Sequence, residues 1–128
     1  ADEIKKNFSV DVSAFKLDVT QHHEVKSSLD TLPPEWKSID ILINNAGLAA
    51  GLDFIQDASI DDWEIMIDTN VKGLLYVTRY VLPQMVERNS GHIINIGSVA
   101  GHQVYPKGVV YAATKHAVKA LSQGLRMD

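Results

Sequence analysis

Two short, almost unbroken apolar runs limit what this chain can fold into: Ile39 with Ile41-Leu42-Ile43, and His92-Ile93-Ile94-Asn95-Ile96. A strand with one wet face alternates apolar and polar residues, whereas runs like these suit strands covered on both faces, as in a parallel sheet. Each run ends in a loop of small and polar residues, Asn44-Asn45-Ala46-Gly47 and the Gly/Ser segment from Gly97 to Gly101. Between them Ile60, Trp63, Ile67, Val71, Leu74 and Val81 recur at helical spacing, which predicts one long helix from about Ile60 to Val86. Ser59-Ile60-Asp61-Asp62 has the spacing of an N-terminal capping box, and Pro83 should kink that helix or end its first part.

The rest of the chain continues the alternation. Val10 to Val19 mixes β-branched and aromatic residues and reads as a first strand. Thr20 to Leu32 reads as a short amphipathic helix through Val25, Leu29 and Leu32, stopped by Pro33-Pro34. Asn89-Ser90-Gly91 is a turn, and a last helix from about Val109 carries Tyr111, Lys115, Val118, Leu121 and Leu125. Strand and helix therefore alternate three times, the pattern of an α/β fold with a parallel sheet and crossover helices. Ligands in such folds bind where loops leave the carboxyl ends of strands, a description that fits Asn44–Gly47 and Gly97–Gly101.

Composition removes several other readings. The 128 residues suit a single domain. Twelve Lys and Arg against sixteen Asp and Glu give a net charge of −4, with no electrostatic footprint for nucleic acid or anionic lipid. No stretch approaches the ~18 consecutive apolar residues of a membrane span. The first residues, ADEIKKNF, lack the apolar core of a signal peptide, so the Asn7-Phe8-Ser9 sequon is read as accidental. The absence of cysteine excludes disulfides, thiol nucleophiles and thiolate metal sites, and a cytoplasmic location is expected. The five histidines show no metal-ligand spacing, so no metal is expected.

Chemistry concentrates in Tyr111-Ala112-Ala113-Thr114-Lys115, where a spacing of four sets phenol and ammonium on one helical face. A tyrosine titrates near ~10, so acid/base work at neutral pH needs roughly 4 kcal/mol. A cation ~4 Å away at an effective dielectric of ~20 supplies an energy on that order. Ser98 lies thirteen residues before Tyr111, just past a strand end, where its hydroxyl could hold a substrate carbonyl. Asn70 sits mid-helix beside apolar positions, and a buried amide must find partners. Asn44 and Asn45 could each pin a neighbouring strand or approach a ligand, and Gly47 would let a bound ring lie against the backbone.

These residues, in this order, resemble the short-chain dehydrogenase/reductases: Asn44-Asn45-Ala46-Gly47, Asp68-Thr69-Asn70, Ser98, and Tyr111 with Lys115, with Asp18-Val19 at the position set against adenine. Leu32-Pro33-Pro34-Glu35-Trp36, Asp61-Asp62-Trp63-Glu64 and Gly91 to Ser98 are similar to one branch, the NADP-dependent 3-hydroxy acid dehydrogenases. The resemblance implies a Rossmann-like doubly wound sheet with flanking helices and an oxidoreductase acting on a small-molecule substrate. It makes Tyr111 the proton donor and acceptor, and has Lys115 lower its pKa and bind the nicotinamide ribose. It gives Ser98 the substrate oxygen, and Asn70 a water that links Lys115 to solvent. It has Asn45, Ala46 and Gly47 line the adenosine-ribose side of the cofactor, with Asp18 and the Val19 backbone at adenine. NADP is the implied cofactor, NAD remaining open, and a homo-oligomer (dimer or tetramer) is implied through the two long helices.

The sequence also departs from that family. No G-x-x-x-G-x-G occurs to carry a cofactor pyrophosphate, and the strands expected before Val10 and after Asp128 are absent. In the order 3-2-1-4-5-6 the first two strands here would be strands 3 and 4, which are not neighbours. The expectation is an incomplete domain over residues 1–128, with exposed edges and an apolar face, that neither folds well nor turns over in isolation. Two other readings stay open: a carbonyl reductase of another branch (3-ketoacyl or hydroxysteroid type), or a truncated non-catalytic domain.

Overall fold

The computed structural model describes residues 1–128. At its centre β1 (Ile41–Asn44) pairs in parallel with β2 (His92–Asn95), Ile41 opposite His92 and Asn44 opposite Asn95. Before β1 come α1 (Asp2–Phe8), α2 (His22–Asp30) and the single turn α3 (Pro34–Lys37). Between the strands run α4 (Ile60–Ile67), a π-helical turn (Asp68–Gly73) and α5 (Leu74–Glu87). After β2, a 3₁₀ turn (Val99–Gly101) leads to α6 (Val109–Gly124). The sheet is parallel and its connection is helical, as the apolar runs require, so the α/β class holds.

Four expectations are corrected. Val10 to Val19 forms no strand, because a strand needs a neighbour to bond and the sheet here pairs only β1 with β2. The long helix breaks its pattern at Asp68–Gly73 and not at Pro83, which lies on the exposed side of an uninterrupted α5, where water can take the carbonyl that proline leaves unpaired. Ser59 is the N-cap of α4 but makes no side-chain capping bond. The strands are also covered on one face only. Leu42, Asn44, Ile93 and Asn95 turn toward the helices, while Ile41 and Ile43 stay 60% and 57% exposed beside Ile94 and Ile96, as the expected apolar face demands.

The core lies between the covered face and the helices. Val25 of α2 is fully buried against the α5 layer that contributes Leu74, Val81 and Met85. α4 and the π turn pack instead on α6, which buries Ala112, Thr114, Lys115 and Val118. Ile60 and Ile67, expected inside, are exposed; the buried row runs Met66, Asn70, Leu74, Thr78, Val81, Met85. No helix is long and apolar enough to cross a membrane.

Candidate active site

The loops that leave β1 and β2 meet the N-terminal half of α6. Lys115, 7% exposed, donates from Nζ to the Ile96 carbonyl at 2.9 Å, which holds its ammonium at the end of β2. One acceptor leaves two of its three N–H bonds for other work. The same Nζ lies 5.9 Å from the centroid of the half-buried Tyr111 ring. That separation, taken to the ring centroid, exceeds the ~4 Å of the sequence argument.

Asn70 is 2% exposed and all of its amide is engaged. Oδ1 accepts from the Leu48 N–H at 2.8 Å, and Nδ2 donates to the Leu48 carbonyl at 2.8 Å and to Thr114 Oγ1 at 3.0 Å. Thr114 in turn donates to the Tyr111 carbonyl at 2.7 Å. Asn70 therefore ties the loop after Gly47 to α6, and it sits in the π turn, where the helix widens by one residue. Gly47 faces this junction: a Cβ there would stand 3.3 Å from Asn70 Oδ1 and 3.5 Å from Lys115 Nζ.

Ser98 is extended (φ −164°), and its Oγ accepts from the Ala100 N–H at 3.1 Å, capping the 3₁₀ turn. That turn lies flat on α6 because residue 101 is glycine; a Cβ would meet the Lys115 carbonyl oxygen at 2.8 Å. Gly47, Asn70, Ser98, Tyr111 and Lys115 are thus gathered around one junction of two loops and one helix. Asn45 and Ala46 lie exposed on the rim of the same loop.

Asp18 and Val19 reach this region from the other side. Val19 packs so tightly on the π turn that a Cβ at Gly73 would stand 2.7 Å from Val19 Cγ2. Asp18 Oδ1 accepts from the Thr20 N–H at 2.9 Å and the Thr20 hydroxyl at 2.8 Å. The backbone bond, with the hydroxyl second, holds its carboxyl below the usual carboxylate range. No group of three or more His, Asp or Glu is placed to hold a metal ion.

Of the two asparagines left open, Asn44 is the strand pin. Its Nδ2 donates to Asn95 Oδ1 at 2.9 Å and Thr78 Oγ1 at 3.0 Å. Sequence reasoning missed Asn95, Thr78, Thr114 and Leu48. Asn95 carried a signal, as the one polar residue inside an apolar strand run. Leu48 acts through its backbone, which no residue type announces.

The chain matches known proteins over its full length. A family model described as short chain dehydrogenase covers residues 1–128. The NADP-dependent 3-hydroxy acid dehydrogenase YdfG of Escherichia coli O6:H1 is 54% identical over 126 residues, 98% of this chain and 51% of that protein. An NADP-dependent 3-hydroxy acid dehydrogenase of Schizosaccharomyces pombe is 43% identical over 128 residues, 100% of this chain and 49% of that protein. Among solved structures, the closed form of a serine dehydrogenase complexed with NADP+ superposes with a TM-score of 0.93 at 53% identity, covering 99% of this chain and 51% of that one. The chain spans about half the length of the curated relatives it matches.

Proposed function

From the premise that this chain belongs to the short-chain dehydrogenase family, we propose that the protein oxidises a short 3-hydroxy acid, or reduces the matching keto or semialdehyde form, with NADP. The observation that carries this reading is the junction where Gly47, Asn70 and Lys115 converge beside Tyr111. The donor set suits a ribose diol: an anchored ammonium with N–H bonds to spare, facing a glycine whose missing side chain leaves room. Lys115 would hold the nicotinamide ribose, Asn45, Ala46 and Gly47 the adenosine-ribose side, and Asp18 with the Val19 backbone the adenine. NADP, when bound, supplies the hydride acceptor or donor.

The residues then divide the proton work. In oxidation Tyr111 takes the proton from the substrate 3-hydroxyl as the C3 hydride departs, leaving a carbonyl at C3; in reduction it returns the proton. Lys115 stabilises the phenolate and passes the proton on. Asn70, whose amide protons are spent on Leu48 and Thr114, would hold the relay water through an oxygen. Ser98 orients the substrate oxygen through its hydroxyl proton, since its own oxygen already accepts from Ala100. A cytoplasmic homo-oligomer built through the helical stretch from Ile60 to Val86 and α6 belongs to the same reading.

In the intact protein Tyr111→Phe is expected to abolish NADPH-linked turnover while leaving cofactor binding in place. Retained turnover defeats the assignment. A panel of serine and 3-hydroxybutyrate against acyl and steroid ketones checks the substrate class; preference for the ketones would move the protein to another branch.

A further inference from the structure

A row of polar side chains crosses the helix-covered sheet face, and the proton work above makes no use of it. Asn44 of β1 stands opposite Asn95 of β2, and its Nδ2 donates both to Thr78 Oγ1 of α5 and to Asn95 Oδ1. Asn95 Nδ2 then donates to Ser122 Oγ of α6 at 2.9 Å, and Ser122 donates to the Val118 carbonyl at 2.7 Å. One connected row therefore joins α5, β1, β2 and α6.

Such a row does what apolar packing cannot. An apolar helix face fits a sheet at several axial offsets. Sliding α6 by one turn, about 5.4 Å, would bring Val118 or Arg126 opposite Asn95 and leave its amide without the hydroxyl. Asn95 and Ser122 are half-buried at the edge of that layer, where their bond favours one register. Ser122 follows Lys115 by seven residues and Tyr111 by eleven, close to two and three helical turns, so all three share a face of α6. Asn95 precedes Ser98 by three residues on the same strand exit, next to the Ile96 carbonyl that Lys115 grips.

We propose that the Asn95–Ser122 hydrogen bond is a positioning clamp: it fixes the axial register of α6 on β2, and so the placement of Tyr111 and Lys115 relative to Ser98. Asn95 and Ser122 are positioning residues that touch neither substrate nor cofactor. The proposal rests on the reading that Ser98 and Tyr111 act on one substrate oxygen. A misplacement of about 1 Å at reacting atoms costs on the order of 100-fold in rate.

The test compares Ser122→Ala with Ser122→Thr in the intact protein, well below its unfolding temperature. Ser122→Ala should lower kcat about 10- to 100-fold with KM for NADPH within about twofold of wild type, and Ser122→Thr, which keeps the hydroxyl, should restore kcat. The Asn95→Ala, Ser122→Ala double variant should lose little more than Asn95→Ala alone, which already lacks the Ser122 bond along with the Asn44 one. Backbone amide exchange over residues 111–118 should quicken in Ser122→Ala and recover in Ser122→Thr. A Ser122→Ala enzyme at wild-type kcat, or single losses that multiply in the double variant, overturns the clamp. Should wild type turn over no 3-hydroxy acid, the proposed function fails; amide exchange unchanged by Ser122→Ala then overturns the clamp by itself, and faster exchange supports it.

Discussion

Replacing Asn70 by aspartate converts the centre of the site into a pH sensor, and the sign of the effect follows from three bonds. Asn70→Asp keeps the side chain's shape and the oxygen that accepts from Leu48 N–H, but it sets a second oxygen where Nδ2 lies 2.8 Å from the Leu48 carbonyl. If the new carboxyl carries a proton, it can donate to Leu48 and loses only the Thr114 bond, about 1 kcal/mol. If it ionises, a buried charge faces an acceptor at a cost of about 3 to 5 kcal/mol, of which the Lys115 ammonium across the Gly47 junction offsets about 2. At 2% exposure the folded protein prefers the neutral form, so the folded-state pKa rises above the unfolded value of about 3.9.

For a raised folded pKa, the variant's stability is fully present below the unfolded-state pKa and is lost as pH rises toward the folded one. The slope is about 1.4 kcal/mol per pH unit. The deficit against wild type should therefore grow from about 1 kcal/mol near pH 4 to about 2 kcal/mol near pH 7. Urea unfolding of the intact protein at several pH values, with wild type in parallel, reads this directly. Wild-type and variant stabilities that run parallel with pH would refute the account of Asn70 as a buried two-way bridge.

Two further outcomes follow from the same geometry. Asp18 titrates low because Thr20 bonds its carboxylate, so its stabilising contribution is present above the unfolded-state pKa and lost as pH falls through the folded value. Thr20→Val removes the hydroxyl bond and should move the Asp18 pKa upward in a carboxyl NMR titration; an unmoved value sinks this explanation. Gly101→Ala forces a Cβ against the Lys115 carbonyl, so it should cost about 1 to 3 kcal/mol in thermal unfolding and lower kcat by shifting Ser98. Unchanged Tm and kcat would mean that the turn has room to spare.

How much was legible in the sequence depends on where each signal resides. The runs at Ile41–Ile43 and His92–Ile96 located both strands because burial against a helix layer selects residue type directly. Asn70 was legible for the reason it matters: an amide among apolar neighbours must be bonded. Val10 to Val19 misled because β-branched residues report a taste for a sheet, not whether a neighbouring strand exists. The π turn was invisible, since it arises where Asn70 bonds Leu48, twenty-two residues away in sequence. Ser122 was overlooked because a serine in a helix reads as solvent-facing until its partner on β2 is known.

The π turn also decides how one rod of helix serves two neighbours. An α-helix advances about 100° per residue, so one extra residue in a turn rotates everything beyond it by that angle. α4 and the turn address α6, whereas α5 addresses α2 and β1. Deleting one residue within Asp68–Gly73 would restore a regular helix and leave the composition almost untouched. It would also turn one of those two faces away from its neighbour, so that Asn70 could meet Leu48 or Thr78 could meet Asn44, but not both. Angular phase, set by a single residue of length, is what lets one continuous helix hold the Asn70 bridge and the Asn44 strand pin of this molecule at the same time.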